Sequence, residues 1–335
     1  MSIPPPGVLL EARHLTKEFP LGGLFSRRRR VVHALDDVSL SVAAGETVAV
    51  VGESGCGKST LGRCLIRLTS PNSGTVLLHG EDAAQILARD ALRLRRAVQI
   101  VFQDPFASFN PRRTIGQSLD DPLRIHGAGD RAARRARAVE LMRQVGLTSD
   151  HLERYPHELS GGQRQRVAIA RALAPGPEII ICDEPVSSLD VSVQAQIINL
   201  LRDIQAETGI AYLFITHNLH LVRRIAHRIV VMYLGQIVET GDARLLARRL
   251  VHPYSAALFA AAPRMRHRRQ AAPATSTPAI SGEVPSPIDP PSGCRFHPRC
   301  PLCQPLCRTR APELAEIDGR QVRCHFAADI IAALP

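Results

Sequence analysis

Lysine is almost absent from this chain: only Lys17 and Lys58 occur among 42 basic residues, so about 40 are arginines. Long apolar runs are missing as well. None approaches the ~20 residues that cross a bilayer, and the longest, such as Ile179–Cys182 and Ile229–Leu234, have only strand length. A helical membrane anchor is therefore not expected, and any membrane role must come through a partner. The stretch from Met1 to Arg13 has three consecutive prolines and no basic segment leading into a long apolar one. A secretory signal is accordingly not expected, and the cytosol is the expected compartment. Cysteine is scarce outside the last 42 residues, which hold five of the eight. A reducing compartment disfavours reading those five as disulfides. No internal repeat is visible.

What remains is an ordinary globular composition. The 335 residues correspond to roughly two domains of about 150, and 45% hydrophobic with 22% charged residues supply an ample core. The formal charge of +11 suits an anionic partner such as nucleotide, nucleic acid or lipid headgroup, without choosing among them.

Leu9–Phe19 and Val31–Val42 read as strands around a loop, Pro20–Arg30, that ends in four arginines. The simplest reading of Arg27–Arg30 is a solvated loop, with contact to anionic lipid or a partner as the alternative. Glu46–Val51 reads as a buried strand, Ser59–Leu68 as a helix, and Thr75–Leu78 and Val98–Phe102 as further strands. From Pro105 to Pro156 the chain turns helical and rich in Arg and Ala. Helix Arg131–Val145 there places Ala138, Leu141, Met142 and Val145 on one face. Strands at Glu178–Cys182, Ile210–Ile215 and Ile229–Tyr233 then alternate with a helix at Val193–Glu207. Such alternation indicates an α/β core with a parallel sheet, interrupted by a helical insertion at about 105–175. Residues 263–293, rich in Pro, Ala, Ser and Thr, read as a linker.

Gly52-Glu53-Ser54-Gly55-Cys56-Gly57-Lys58-Ser59 fits the P-loop pattern between a predicted strand and a predicted helix. Its glycines let successive backbone N–H groups face phosphates, and the helix N-terminus adds its positive end. Lys58 reaches the phosphates as a compact charge that arginine's planar fork does not replace. That is a physical reason for a lysine at this position in so arginine-biased a chain. Ser59 supplies a hydroxyl to Mg²⁺, and Thr60 can reach another phosphate. Ile179–Cys182 runs into Asp183, suited to the Mg²⁺ shell, and Glu184, suited to a general base for water. Alone these two acids would read as caps of the next turn; with the P-loop they become a hydrolytic pair. Neither lysine follows asparagine, so the guanine motif Asn-Lys-x-Asp of a GTPase is missing.

Leu159-Ser160-Gly161-Gly162-Gln163 is the deciding segment. It resembles the signature of the ATP-binding-cassette (ABC) family and opens a predicted helix, Gln163–Ala174, with a second phosphate-facing N-terminus. The resemblance spans about residues 8–250. It implies that Ser160, Gly161, Gly162 and Gln163 serve ATP held by a partner cassette, the pair closing head to tail over two nucleotides. It further implies Gln103 as a Mg²⁺ and water contact, His217 as a switch contacting the γ-phosphate, and Asp190, in Ser188-Leu189-Asp190, as part of the loop communicating across the dimer. Phe19 is placed where the family stacks an aromatic on adenine, although a core phenylalanine is nearly as good a reading. The implied fold is an ABC ATPase core with an antiparallel β subdomain and a helical insertion, filling 1–262.

Phe102–Arg112, Pro185–Gln196 and His252-Pro253-Tyr254-Ser255 resemble the ATPase subunits of bacterial dipeptide and oligopeptide importers. The F-type dipeptide subunit shares in addition the Gly23-Leu24-Phe25 loop insertion. Nickel and glutathione importers share much of the pattern, and a non-transport ABC ATPase acting on nucleic acid is the other alternative. The importer likeness implies a heterodimer with a similar cassette and two transmembrane permease subunits. It also implies a periplasmic or extracellular peptide-binding protein and a peripheral place on the cytoplasmic face of the inner membrane. Nucleic acid is not an expected partner. The same branch carries a Gly-Cys-Arg-Phe-His-Pro-Arg-Cys-Pro stretch that can hold a [4Fe–4S] cluster, matched here by Cys294, Cys300, Cys307 and Cys324 in a Cys-rich region, 294–335. Cys303 adds a Cys-x-x-Cys spacing that zinc also favours. Iron–sulfur, zinc and no metal therefore stay open, and a metal that staples a small core is favoured over electron transfer.

Overall fold

The structure, a computed structural model, describes residues 7–21, 30–104, 106, 108–261 and 282–333. The Gly23–Phe25 insertion and Arg27–Arg29 lie outside them. Strands β1 (Val8–Leu21) and β2 (Arg30–Ala43) pair antiparallel. The chain leaves through β3 (Thr47–Val51) and helix α1 (Lys58–Leu65), then returns as β4 (Ser73–Leu78) and β5 (Glu81–Asp82) to close a four-stranded sheet, β2-β1-β4-β5. Two short helices, α2 (Ala83–Arg89) and α3 (Ala91–Ala97), are capped by Asp82 and Asp90, whose carboxylates accept from Ala84 and Arg93 N–H groups.

The second sheet, to which β3 already belongs, continues with β6 (Val98–Val101). The helical insertion follows, containing α4 (Ile115–Ile125), α5 (Arg131–Gln144) and α6 (Gly161–Leu173). Ala138, Leu141, Met142 and Val145 are buried, as the spacing on α5 predicts. After β7 (Ile179–Asp183) come α7 (Val191–Thr208), β8 (Ala211–Ile215), α8 (Leu219–Ile225), β9 (Arg228–Tyr233) and β10 (Gln236–Asp242). Helices α9 (Ala243–Arg248) and α10 (Pro253–Ala261) close this part of the chain.

Strands β9, β3, β8, β7 and β6 are neighbours in parallel register. Their residues are apolar in unbroken runs because both faces are covered. Ile179, Ile181, Leu213 and Ile215 pack on one side with α1 and the antiparallel sheet. Ile180, Cys182, Tyr212 and Phe214 pack on the other against the insertion and α7.

The C-terminal residues do not stand apart from this core. After the short helix α11 (Pro305–Thr309), β11 (Ala315–Ile317) and β12 (Arg320–Val322) extend the large sheet to eight strands by pairing β12 antiparallel with β10; α12 (Ala327–Ala333) follows. A separate extension was the expectation. Instead, Phe296 sits in one core cluster with Tyr233 and Tyr254, and Val322 packs with Val251. The described end of the expected linker is docked too, since His33 N–H donates to the Pro287 carbonyl at 3.0 Å.

Candidate functional site

In an open parallel sheet, ligands bind outside the carboxyl ends of the strands. Four of those ends carry the sequence-derived candidates. β3 runs into Gly52–Ser59, β7 ends at Asp183 and continues to Glu184, β8 leads to Thr216 and His217, and β6 leads to Gln103. The register aligns them: Val101 pairs with Cys182, and Asp183 with Ile215. Gln103 is exposed in the bend just past β6.

The P-loop can take its curled path only with glycine at two points. A Cβ on Gly52 would sit 2.2 Å from the Met232 carbonyl oxygen, and one on Gly57, at φ +104°, would sit 2.2 Å from that of Ala34. The Lys58 ammonium is buried in the curl and donates to the carbonyls of Gly52 (2.9 Å) and Glu53 (3.0 Å). Ser54 and Gly55 form the exposed crest. Cys56 faces inward, and burial pushes its thiol up, which keeps it an inert packing group. Thr60 is half-buried on the first turn of α1.

Ser59 Oγ donates to Asp183 Oδ1 at 2.8 Å, joining the two motifs across 124 residues. Burial raises the Asp183 carboxyl above its ordinary value, while the Ser59 hydrogen bond pulls the other way. A hydroxyl and a carboxylate, both hard oxygen donors, at the rim of a phosphate-sized cradle suit Mg²⁺. Glu184 has φ +48°, a left-handed conformation uncommon for a non-glycine residue. Its N–H is tied to the Ile215 carbonyl at 2.9 Å, and its carboxylate lies 3.1 Å from His217 Nδ1. The expected base and the expected switch are thus in contact.

Ser160 and Gly161–Gln163 form a second group. Ser160 caps α6 by a reciprocal box: its Oγ accepts from Gln163 N–H, and Gln163 Oε1 accepts from Ser160 N–H at 2.9 Å. The glycines are needed for close packing on the neighbouring loop. A Cβ on Gly161 would meet Leu189 at 3.3 Å, and one on Gly162 would meet Val193 at 2.7 Å. Asp190 caps α7, accepting from Val193 N–H and Ser192 Oγ, and these bonds hold its carboxyl below the ordinary range. Phe19, near the end of β1, is 40% exposed, with Lys17 Nζ 4.9 Å from its ring centroid. That exposure leaves a ring face for stacking and does not fit a core phenylalanine.

Two residues that grip the P-loop from the C-terminal part of the chain went unassigned in the sequence. Glu53 N–H donates to the Tyr254 hydroxyl at 2.9 Å, and the Glu53 carboxylate holds a bidentate pair with Arg299, at 2.7 and 3.0 Å. The tetrapeptide containing Tyr254 and the Gly-Cys-Arg-Phe-His-Pro-Arg-Cys-Pro stretch containing Arg299 were signals, but neither pointed to the P-loop.

Comparison with known proteins now decides the family. The ABC transporter profile matches residues 35–187, and that of the oligopeptide/dipeptide transporter C-terminal region matches 238–307. A probable peptide ABC transporter ATP-binding protein of Sinorhizobium fredii is 52% identical over 97% of this chain and 92% of its own length. The chain belongs to the ATP-binding subunits of this transporter family. Like them, this ABC protein is an ATPase. The di/tripeptide transport ATP-binding protein of Pseudomonas aeruginosa is 46% identical, covering 96% of this chain and 99% of its own. Among solved structures, a dimeric ATP-binding cassette in a post-hydrolysis state with ADP and Pi matches with a TM-score of 0.63 at 30% identity. That match covers 70% of this chain and 99% of the other.

The four cysteines that the family resemblance implies as ligands share one cavity, but they do not form a ligand shell. Cys294, Cys300, Cys307 and Cys324 line one cavity of about 20 Å³ with His252, His297 and His325, and Cys303 is not among its walls. Burial pushes the Cys300 thiol up to about 12 and Cys324 up to about 11. Among the described residues, no three His, Cys, Asp or Glu side chains are grouped closely enough to hold a metal ion. The expected iron–sulfur or zinc centre therefore has its four thiols around one space, without the spacing of a bound metal. Among the same residues, no helix is long and apolar enough to cross a membrane.

Proposed function

We propose that this ABC ATPase energises import of dipeptides or oligopeptides across the bacterial inner membrane, working peripherally on the cytoplasmic face. The observation that carries this reading is the match at 238–307 to the C-terminal region of oligopeptide/dipeptide transporters, on a chain that also matches the cassette. In this reading ATP lies between two cassettes, each supplying one half of each site. Lys58 and the amides of Gly52–Thr60 hold the phosphates, Ser59, Asp183 and Gln103 hold Mg²⁺, and Phe19 stacks on adenine. Mg²⁺ supplies charge neutralisation at the transferring phosphoryl group. Glu184 orients the attacking water and takes its proton, and His217, 3.1 Å from the Glu184 carboxylate, contacts the γ-phosphate. Ser160–Gln163 and Asp190 act on the partner's nucleotide. Two separate helix N-termini, at Lys58 and at Gly161, support a composite site, because one ATP needs only one from a subunit.

The implied partners are a second, non-identical cassette, two permease subunits and a peptide-binding protein reached through them. ATPase activity is to be measured after co-expression with the neighbouring permease and cassette genes, with and without peptide-loaded binding protein. Stimulation by peptides supports the proposal. Stimulation by nickel or glutathione systems instead moves the substrate, and stimulation by nucleic acid with indifference to permeases refutes transport.

A [4Fe–4S] cluster or, alternatively, zinc as a staple of the C-terminal region rests on the family resemblance of Cys294, Cys300, Cys307 and Cys324, which share one cavity but would have to draw together to bind it. Anaerobically purified protein should contain iron with acid-labile sulfide, or zinc. Absence of both refutes the metal.

A further inference from the structure

A carboxylate in a phosphate-binding loop is an electrostatic liability, since a free negative charge there opposes a triphosphate. Glu53 is the second residue of the loop, and every polar group it has is engaged. Its N–H goes to the Tyr254 hydroxyl (2.9 Å), its carbonyl accepts from Lys58 Nζ (3.0 Å), and both carboxylate oxygens accept from Arg299 (2.7 and 3.0 Å). Two of these three grips come from beyond residue 250, outside the stretch matched by the cassette profile.

Arg299 is itself fixed. It is only 8% exposed, lies in the turn His297–Arg299, and stands 5.8 Å from the Tyr233 ring centroid, with the Tyr233 hydroxyl at 3.4 Å. Tyr233 is held in turn by Phe296, edge to face at 5.3 Å between centroids, and by Tyr254, tilted at 4.7 Å. A bidentate guanidinium–carboxylate pair in such a wall fixes direction as well as charge.

We propose that Arg299 is a positioning residue of the nucleotide site: it neutralises Glu53 and turns its carboxylate away from the phosphates, so that the loop meets ATP with amides and Lys58 alone. The inference rests on the reading of Gly52–Ser59 as the ATP loop. Removing Arg299 leaves one uncompensated negative charge beside the nucleotide, so affinity falls, more for ATP than for ADP. Removing the carboxylate as well takes away the reason for the guanidinium.

The test is nucleotide affinity of the full chain by calorimetry with MgATP and MgADP, together with steady-state kinetics in the assembled transporter. Arg299→Gln should weaken ATP binding roughly tenfold and raise KM for ATP while leaving kcat at saturation within about twofold. Arg299→Lys, which keeps the charge but not the fork, should fall between Arg299→Gln and the wild type, and Glu53→Gln in the Arg299→Gln background should recover most of the loss. A merely structural staple predicts the opposite pattern: affinity tracks the fall in melting temperature, and the second substitution recovers nothing. That pattern, or wild-type affinity in Arg299→Gln, overturns the proposal. If the wild type binds no nucleotide, the reading of the loop itself fails, and this inference fails with it.

Discussion

Arg320 on β12 is 2% exposed, and Glu239 on β10 is fully buried, with Arg320 Nη1 3.9 Å from the Glu239 carboxylate. At an effective dielectric of about 20, two unit charges at that distance attract by about 4 kcal/mol. Glu239 also accepts from the N–H groups of Val251 (2.9 Å) and His252 (3.1 Å), which persist if the guanidinium is removed. Arg320→Met would therefore strand a buried carboxylate that keeps only its neutral partners. The expected loss is about 3–4 kcal/mol at pH 8, within the range for breaking one side of a buried pair. Part of the loss can be escaped by protonation, because burial already raises the Glu239 carboxyl. In the variant the folded chain holds that proton up to a still higher pH than the unfolded chain, which releases it near ~4.3. The folded state then binds more protons above that point, so the variant's stability falls as pH rises and its loss should be smaller at pH 5 than at pH 8. Urea midpoints by circular dichroism at the two pH values measure this. The double variant Glu239→Gln/Arg320→Met should recover most of the loss at pH 8. A loss under ~1 kcal/mol at pH 8, or one independent of pH, would refute the reasoning.

Glu184→Gln should lower ATP turnover in the assembled transporter by about 10²–10⁴ while retaining ATP affinity; full turnover would sink the assignment of Glu184 as base. His252 is buried, and burial holds its imidazole down to about 3. The unfolded chain takes up that proton near ~6.5, so the folded state loses stability as pH falls from about 6.5 toward 3. His252→Gln should flatten that slope in urea midpoints read from pH 7 to pH 4, and an unchanged slope would mean that another group carries it.

The parallel core and the residues at its carboxyl ends were legible in the sequence, because each signal is local. Unbroken apolar runs such as Ile179–Cys182 announce doubly covered strands, and Gly52–Ser59 states its own backbone path. Less local features were not legible. The segments Ala315–Ile317 and Arg320–Val322 are three residues each, too short for alternation to announce a strand, and they become strands because β10 offers an edge to β12. Arg299 lies in the cysteine-bearing stretch, where nothing in the sequence points to the P-loop. Its partner is 246 residues away, and no spacing rule connects them. Separating the C-terminal region from the core followed from the Pro-rich composition of 263–293, which reports on chain stiffness and says nothing about where the following residues dock.

The late pairing of β12 with β10 bears on how the chain is made. Thr240 meets Gln321 across that ladder, so a nascent chain shows an open strand edge while about 80 further residues are added. At ~5–20 residues per second, that interval lasts roughly 4–16 s. Throughout it, the hydrogen-bonding groups of Glu239–Gly241 are available to any extended segment, including one from a second nascent copy. Release of the last strand thus ends a period of exposure to misassociation, and a chain stopped short of Arg320 would never leave it.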